Sequence, residues 1–162
     1  MPSNDKNTQD KDKSVTKASY TITIYLGANN KIYYVEGQPK YDDPSCMKET
    51  TWGKNGIRSV LINHVTEDST TPVQQVMAAK AALDKKKLAD PIYNAELSKI
   101  KSGDLGNEKI STMTVIIKAT DKATYKNLVD ALDEMQICSI GKYVIDKINP
   151  DDMKLLKMKG IE

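Results

Sequence analysis

Apolar and polar residues alternate along residues 20–26, which places four apolar side chains on one face of an extended chain. Residues 31–35 follow with β-branched and aromatic side chains, which favour strands. The intervening Gly-Ala-Asn-Asn at 27–30 contains residues that tolerate a positive φ. The pattern therefore predicts a β-hairpin that ends at the Gly-Gln-Pro of residues 37–39.

Residues 40–107 predict loops and three helices. The first helix depends on four residues that share one helical face: Ile57, Val60, Leu61 and His64. The second begins at Pro72, because proline suits the first helical position, and ends in the lysines of 85–87, which favour the negative end of the helix dipole. Asp90 is predicted to cap a third helix over residues 92–100. The middle of the chain is thus expected to be largely helical.

The C-terminal third begins with residues 112–119, an apolar β-branched run typical of a strand at the centre of a sheet. Asp121 is predicted to cap the helix that follows. The side chains expected to face the sheet are those at helical spacing: Tyr125, Leu128, Val129 and Leu132. Residues 142–148 are the next strand, so the unit is a β-α-β crossover that joins two parallel neighbours. Residues 149–162 predict a short terminal helix with an asparagine cap and an early proline.

The balance of charges and the polar N-terminus narrow the choice of function. The chain has 24 Lys and Arg against 22 Asp and Glu, a net charge of +2, so we expect no nucleic-acid partner. No apolar run approaches the roughly 18 residues that a membrane helix needs. Residues 1–19 are almost wholly polar and predict a flexible tether, with a ragged terminus as an equal alternative.

The residues that could support catalysis or metal binding are few. Two cysteines and one histidine are too few for a structural zinc site, and the chain lacks a phosphate-binding glycine loop. Cys46 or Cys138 could act as a nucleophile with His64 as its base, but no third, orienting group is identified. We therefore predict no enzyme and no cofactor. A disulfide between the cysteines and two free thiols both remain open.

Two recurring groups of residues have a structural interpretation. The tyrosines at 20, 25, 33 and 34 could form an exposed aromatic surface, but packing against neighbouring strands is favoured. The carboxylate pairs at 42–43, 67–68 and 151–152 are explained by helix capping or hydration without a metal. Neither group requires a ligand.

Residues 115–135 read VIIKATDKATYKNLVDALDEM and are followed by Ile-Gly-Lys-Tyr at 140–143. This stretch closely resembles the C-terminal signature of the ExbD/TolR family of biopolymer-transport proteins. The match is carried by seven positions: Lys118, Asp121, Tyr125, Val129, Leu132, Asp133 and Gly141. The hairpin around residues 29–34 is also similar to the first two strands of the family, so the resemblance covers about half of the chain.

The resemblance implies an α+β fold: a small mixed β-sheet with helices packed on one face, enlarged by a helical insertion. The family-like domain is expected at residues 20–148, with the insertion at about 40–107, between the tether of 1–19 and a short C-terminal helix at 149–162. The insertion is longer than the short helix usual at this place in the family, so the resemblance implies no role for it. The single transmembrane helix of the family is absent from the given chain, which thus resembles the exported domain alone.

Proteins of this family work in the periplasm, anchored to the bacterial inner membrane, in energy-transduction complexes driven by the proton-motive force. The resemblance implies a homodimer, a TonB- or TolA-like transducer, and an ExbB- or TolQ-like membrane protein reached through the missing helix. The complex would power outer-membrane transport. The alternative is a TolR-like or motor-stator domain that binds peptidoglycan, with the insertion as its glycan-binding part.

A domain that transmits energy to a transducer needs a surface that binds a protein partner. An open sheet edge is such a surface, because it can accept a partner strand. The final strand is the candidate for the partner-binding or dimer edge. It comprises Lys142, Tyr143, Val144, Ile145 and Asp146. Alternation along the strand places Tyr143 and Ile145 on one face and Val144 on the other. An enzyme built around Cys138 and His64 is the least favoured hypothesis.

Overall fold

The computed structural model describes residues 18–37, 40–105 and 109–160. These residues form five strands: β1 (Thr21–Leu26), β2 (Ile32–Glu36), β3 (Lys48–Thr50), β4 (Thr114–Ala119) and β5 (Lys142–Asp146). They also form five helices: α1 (Ile57–Asn63), α2 (Pro72–Asp84), α3 (Asp90–Lys101), α4 (Tyr125–Ile137) and α5 (Pro150–Met158). Most of the predicted tether, residues 1–17, lies outside the described residues, as do residues 38–39 of the turn that was expected to end the hairpin.

The strands form one mixed sheet in the order β3-β2-β1-β4-β5. β1 is antiparallel to β2 and parallel to β4, and β4 is parallel to β5. The predicted hairpin and the predicted β-α-β unit are therefore both confirmed, and so is the α+β fold class. The hairpin turns through Asn29 and Asn30, whose φ values of 57° and 63° are positive, as the sequence indicated.

The three helices predicted between the hairpin and β4 are present, and α2 begins at the predicted Pro72. Asp90 is the first residue of α3 and Ala89 holds the cap position, so the prediction that Asp90 caps this helix is wrong. The short strand β3 was missed, because its Lys-Glu-Thr sequence has neither apolar alternation nor the usual length. β3 pairs antiparallel with β2 and forms one edge of the sheet. Arg58 of α1 donates two hydrogen bonds to the carboxylate of Glu134, 2.9 and 3.1 Å long, and these tie the inserted helices to α4.

The start of α4 differs from the prediction. Thr124, and not Asp121, is the cap: its hydroxyl accepts a bond from the N–H of Asn127, and the Asn127 side chain accepts one from the N–H of Thr124. Asp121 lies in the preceding turn and is exposed, so the prediction that it caps the helix is wrong. Because Tyr125 is the first helical residue, its side chain leans toward the helix N-terminus and is 80% exposed.

The buried face of α4 is accordingly rotated from the predicted one. Its fully buried members are Asn127, Ala131, Glu134 and Met135. Leu128, Val129 and Leu132 are only half-buried, and Leu128 and Leu132 flank the core. The prediction that Tyr125 faces the sheet is wrong, whereas Leu128 and Leu132 do pack against the core.

The sheet is covered on both faces, by different helices. On one face, Ile22, Ile24 and Ile117 pack with residues of α1, α2 and α4. On the other face, Tyr25 and Tyr33 pack with a pair of leucines from α5, Leu155 and Leu156. The terminal helix therefore covers the face opposite to the other helices that pack on the sheet, which adds a second layer to the expected one-sided arrangement. Tyr20, Tyr25 and Tyr33 are buried and Tyr34 is half-buried, so the packing interpretation of the tyrosines is confirmed.

Both cysteines are free thiols, which removes the disulfide alternative. Cys46 is half-buried, whereas Cys138 is fully buried at the end of α4. Burial raises the pKa of the Cys138 thiol to about 11.

In a reaction with a disulfide reagent at pH 8, we expect the Cys46 thiol to react fast and the Cys138 thiol to react slowly. Because the thiolate is the reactive species, Cys138 should react only after the protein is unfolded in urea. Cys46→Ser should remove the fast phase and leave the slow one. Equal reaction rates of the two thiols in the folded protein would contradict the described burial of Cys138.

Candidate functional site

β5 forms the edge of the sheet opposite to β3 and, among the described residues, pairs with β4 alone. All five of its residues are exposed. Three of them are large and apolar: Tyr143 is 43% exposed, Val144 is 51% exposed and Ile145 is 53% exposed. The five residues predicted as a partner-binding strand therefore form a sheet edge with exposed apolar side chains on both faces. The strand ends at Asp146, two residues before the predicted end.

The register with β4 explains this exposure. Tyr143 lies beside Val115 and Ile145 beside Ile117, so both point to the face that α4 covers. Val115 and Ile117 are fully buried, but their neighbours on β5 are half exposed. The helical layer therefore ends between β4 and β5, and the last strand extends beyond the core.

The positions that carry the family resemblance do not converge on one site. Asp121, Tyr125 and Asp133 are exposed on and before α4, while Val129 and Leu132 are half-buried in the same helix. Gly141 precedes β5, where a Cβ atom would lie 3.0 Å from the Cβ of Lys101. Lys118 differs from the other signature residues, because it is buried and forms an ion pair with Asp152, which is distant in sequence. The signature residues are thus spread over β4, α4 and the turns before α4 and β5, and they do not line a common pocket.

Lys118 belongs to a buried polar cluster that sequence reasoning missed. The ammonium group of Lys118 and the hydroxyl of Tyr25 both donate to the carboxylate of Asp152, at 2.5 Å and 2.7 Å. Asp152 also completes a capping box with Asn149 at the start of α5. Burial, and then the hydrogen bond to Asp152, raises the pKa of Tyr25 above its usual value. The cluster fastens α5 to the centre of the sheet.

Asp152 was assigned only a capping role because the spacing Asn149-Pro150-Asp151-Asp152 shows no more than a helix start. The capping part is confirmed, since the Asn149 side chain accepts from the N–H of Asp152 at 2.8 Å. The ion pair with Lys118 depends on α5 crossing the sheet, which local spacing does not reveal. A lysine inside the apolar run of β4 was the one available signal.

His64 contacts oxygen atoms from two other segments. Its Nδ1 lies 2.8 Å from the carboxylate of Glu36, and its Nε2 lies 2.6 Å from the carbonyl oxygen of Ser19. The Ser19 hydroxyl also accepts a bond from the N–H of Glu67. His64 therefore fastens the start of β1 to the end of α1, as expected of a packing residue, and both of its ring nitrogens are occupied.

The part of the chain that the structure describes has open grooves but no clustered metal ligands. The described residues contain no group of three or more His, Cys, Asp or Glu side chains that could hold a metal ion. A polar groove of about 520 Å³ lies between α1 and β2, lined in part by Tyr34, Asn55, Ser59 and Asn63. No helix in the described ranges is both long and apolar enough to span a bilayer.

Comparisons with a set of family models, with curated proteins and with solved structures give no match to this chain. The resemblance to ExbD/TolR therefore depends on residues 113–146 and the N-terminal hairpin. The functional argument depends on the geometry of β5. The strand supplies an exposed sheet edge, and such an edge can accept a strand from a protein partner.

Proposed function

We propose that this chain is a non-enzymatic periplasmic domain of an energy-transduction complex of the ExbB–ExbD–TonB type, and that β5 is its protein-binding edge. The observation that supports the proposal is the row of three exposed apolar residues on an unprotected strand, Tyr143, Val144 and Ile145. Its partners would be a second copy of the chain, a TonB- or TolA-like transducer, and an ExbB- or TolQ-like membrane protein. Anchoring in the inner membrane would come from a helix outside the given sequence.

The two edges of the sheet differ in a way that favours β5 as the binding edge. Soluble proteins protect exposed edges with short strands, charged side chains, prolines or bulges. β3 has such protection, because it is three residues long and contains Lys48 and Glu49. β5 carries charges only at its ends, with Lys142 at one and Asp146 at the other. An added strand would bury its apolar centre and use its outward backbone groups.

Strand addition also suits the mechanical task of such a domain. A partner strand that pairs along β5 extends a sheet whose next strand, β4, is paired on both sides. Tension on the partner would then be carried by a row of backbone hydrogen bonds into the centre of the sheet. α5 packs on the face of the sheet opposite to α4. The Lys118–Asp152 ion pair links α5 to β4.

Photo-crosslinking tests the location of the binding edge. A photoreactive amino acid is placed at Val144 of the full chain, which is mixed with the purified periplasmic domain of a TonB- or TolA-like transducer from the same genome. We expect a crosslinked product from Val144. The matched control is Ile92 on α3, which is 55% exposed and apolar but lies on the insertion. Crosslinking from Ile92 and not from Val144 would place the binding surface on the insertion and overturn the proposal.

The groove between α1 and β2 favours peptidoglycan binding as the second candidate function. Most of its lining comes from residues 50–65 of the insertion, and it combines a tyrosine with amide and hydroxyl side chains that suit a glycan. If this function is correct, purified sacculi will pellet the full chain saturably. The double substitution Asn55→Ala and Asn63→Ala should then reduce the pelleting, and Val144→Pro should leave it unchanged.

A further inference from the structure

The imidazole ring of His64 lies between two oxygen atoms that can only accept hydrogen bonds. Its Nδ1 is 2.8 Å from a carboxylate oxygen of Glu36, and its Nε2 is 2.6 Å from the carbonyl oxygen of Ser19. A neutral imidazole has one N–H group and can donate only one of these bonds, whereas an imidazolium ion donates both. The observed contacts therefore require one proton more than a neutral ring beside a carboxylate provides.

We propose that His64 and Glu36 form a proton-binding site, and that the bound proton holds the Glu36 side chain against the end of α1. Because a carboxyl group is more acidic than an imidazolium ion, the proton resides on the ring. The site joins three segments, namely the start of β1 at Ser19, the end of β2 at Glu36 and the residue that follows α1. It goes beyond the proposed function, because it involves neither β5 nor a protein partner.

Loss of the proton should release Glu36 and leave Ser19 in place. The Glu36 side chain is 38% exposed, so water can replace its bond to the ring, whereas the His64 side chain is only 5% exposed and stays inside. Ser19 is also held separately, because its hydroxyl accepts a bond from the N–H of Glu67. Its carbonyl group belongs to the backbone and needs a donor where it is buried. The neutral ring therefore keeps its proton on Nε2, facing Ser19.

Two other acids, Glu67 and Asp68, lie on the segment that follows His64. The Asp68 carboxylate accepts a bond from the hydroxyl of Tyr20, 2.9 Å long, and that bond fixes the residue after Ser19. The carboxylate in direct contact with the ring belongs to Glu36. The start of β1 therefore stays attached to this segment when Glu36 is released.

The proton sets the charge of the groove between α1 and β2. His64 and Glu36 both line this groove, and its other lining residues are uncharged. With the proton bound, the charges of the imidazolium and the carboxylate cancel. Without it, the groove carries one negative charge on a carboxylate that is free to enter it. Histidine changes charge between about pH 5 and 8, so the charge of the groove changes over the same range.

Glu36→Gln tests the site, because the glutamine amide can donate a hydrogen bond where the carboxylate cannot. At pH 8.5 the amide donates to Nδ1 of the neutral ring, so we expect the equilibrium constant for unfolding to fall about fivefold. At pH 5.5 the variant lacks a charge-assisted bond, which is roughly twice as strong as a neutral one, so the constant should rise by a similar factor. Stabilisation by the second bond of the native ring is present at low pH and lost as the pH rises. Urea denaturation followed by circular dichroism at both pH values measures this change of sign.

Glu49→Gln is the matched control, since Glu49 lies on the neighbouring strand β3 and pairs with Lys31. Both side chains of that pair are half exposed, so the effect of this substitution should be small and the same at the two pH values. An effect of Glu36→Gln that is also the same at the two pH values would overturn the proposal.

Nitrogen NMR of the ring gives a second measurement, which needs no variant. His64 is the single histidine of the chain, so its ring signals are identified at once. We expect two protonated ring nitrogens at pH 5.5 and a single proton, on Nε2, at pH 8.5, with the amide signal of Glu36 shifting and that of Ser19 unchanged. A ring that carries one proton at both pH values would overturn the site itself. A proton on Nδ1 at pH 8.5, with the shift at Ser19 instead, would overturn the release of Glu36.

Discussion

Replacing Asp152 by alanine should lower the free energy of unfolding by about 3–5 kcal/mol, because it leaves a buried ammonium group without its counter-charge. Asp152 is fully buried and accepts bonds from Lys118 and Tyr25. The substitution also removes the reciprocal cap of α5, which contributes about 1 kcal/mol on its own. Urea denaturation followed by circular dichroism measures the change.

The adjacent Asp151 supplies a matched control, since it is an exposed acid in the same helical turn. Asp151→Ala should change the stability by no more than about 0.5 kcal/mol. If Asp152→Ala proves too unstable to purify, Lys118→Met in the Asp152→Leu background supplies a second measurement. That pair of substitutions removes both charges together and should be less harmful than Asp152→Ala alone. A small effect of Asp152→Ala would show that α5 is not fastened through this cluster.

Gly103→Ala should lower the free energy of unfolding by about 3 kcal/mol or more. Gly103 follows α3 with a φ of +102°, a region that alanine adopts poorly. An added Cβ atom would also lie 2.2 Å from the carbonyl oxygen of Ile110, a backbone atom that cannot move aside alone. The substitution should therefore disturb the connection between the insertion and β4.

Gly53 separates the two causes, because it has a φ of +90° with no atom within 4 Å of an added Cβ. Gly53→Ala should cost only the conformational part, about 1–2 kcal/mol. Equal losses of stability in the two variants would show that the contact with Ile110 is not close. Thermal unfolding of both variants in parallel gives the comparison.

Local patterns predicted the elements of this fold well, because most of them depend on neighbours in the sequence. The alternation at residues 20–26 and the two asparagines after it sufficed for the hairpin. Pro72 marked the start of α2. Asn149 and the proline after it were sufficient to predict the cap and the start of α5.

The start of α4 was misassigned because two capping residues stand close together. Asp121 and Thr124 are both suitable caps, and apolar periodicity does not separate them. Two hydrogen bonds identify Thr124 as the cap. Asn127, three residues later, donates its N–H to the Thr124 hydroxyl, and its side-chain oxygen accepts from the N–H of Thr124. The three-residue spacing between Thr124 and the polar Asn127 would therefore have identified the correct cap.

The candidate site depends on topology that the sequence does not contain. The final strand was a candidate binding edge because of the task that the resemblance implies, since its apolar run alone does not distinguish an edge strand from an interior one. The sheet order places it at an edge. The Lys118–Asp152 pair spans 34 positions and the Tyr25–Asp152 bond spans 127, so no local pattern could connect them. The exposure of Tyr143 and Ile145 follows from where the helical layer ends, which is a property of packing.

Amide hydrogen exchange of the full chain with and without the transducer's periplasmic domain tests the central claim most directly. The chain is kept dilute enough to limit self-pairing. If β5 accepts a partner strand, exchange at residues 142–146 will slow by about tenfold or more, while α2 and α3 exchange as before. Saturable binding with unchanged exchange at β5, or with protection confined to the insertion, would contradict the account.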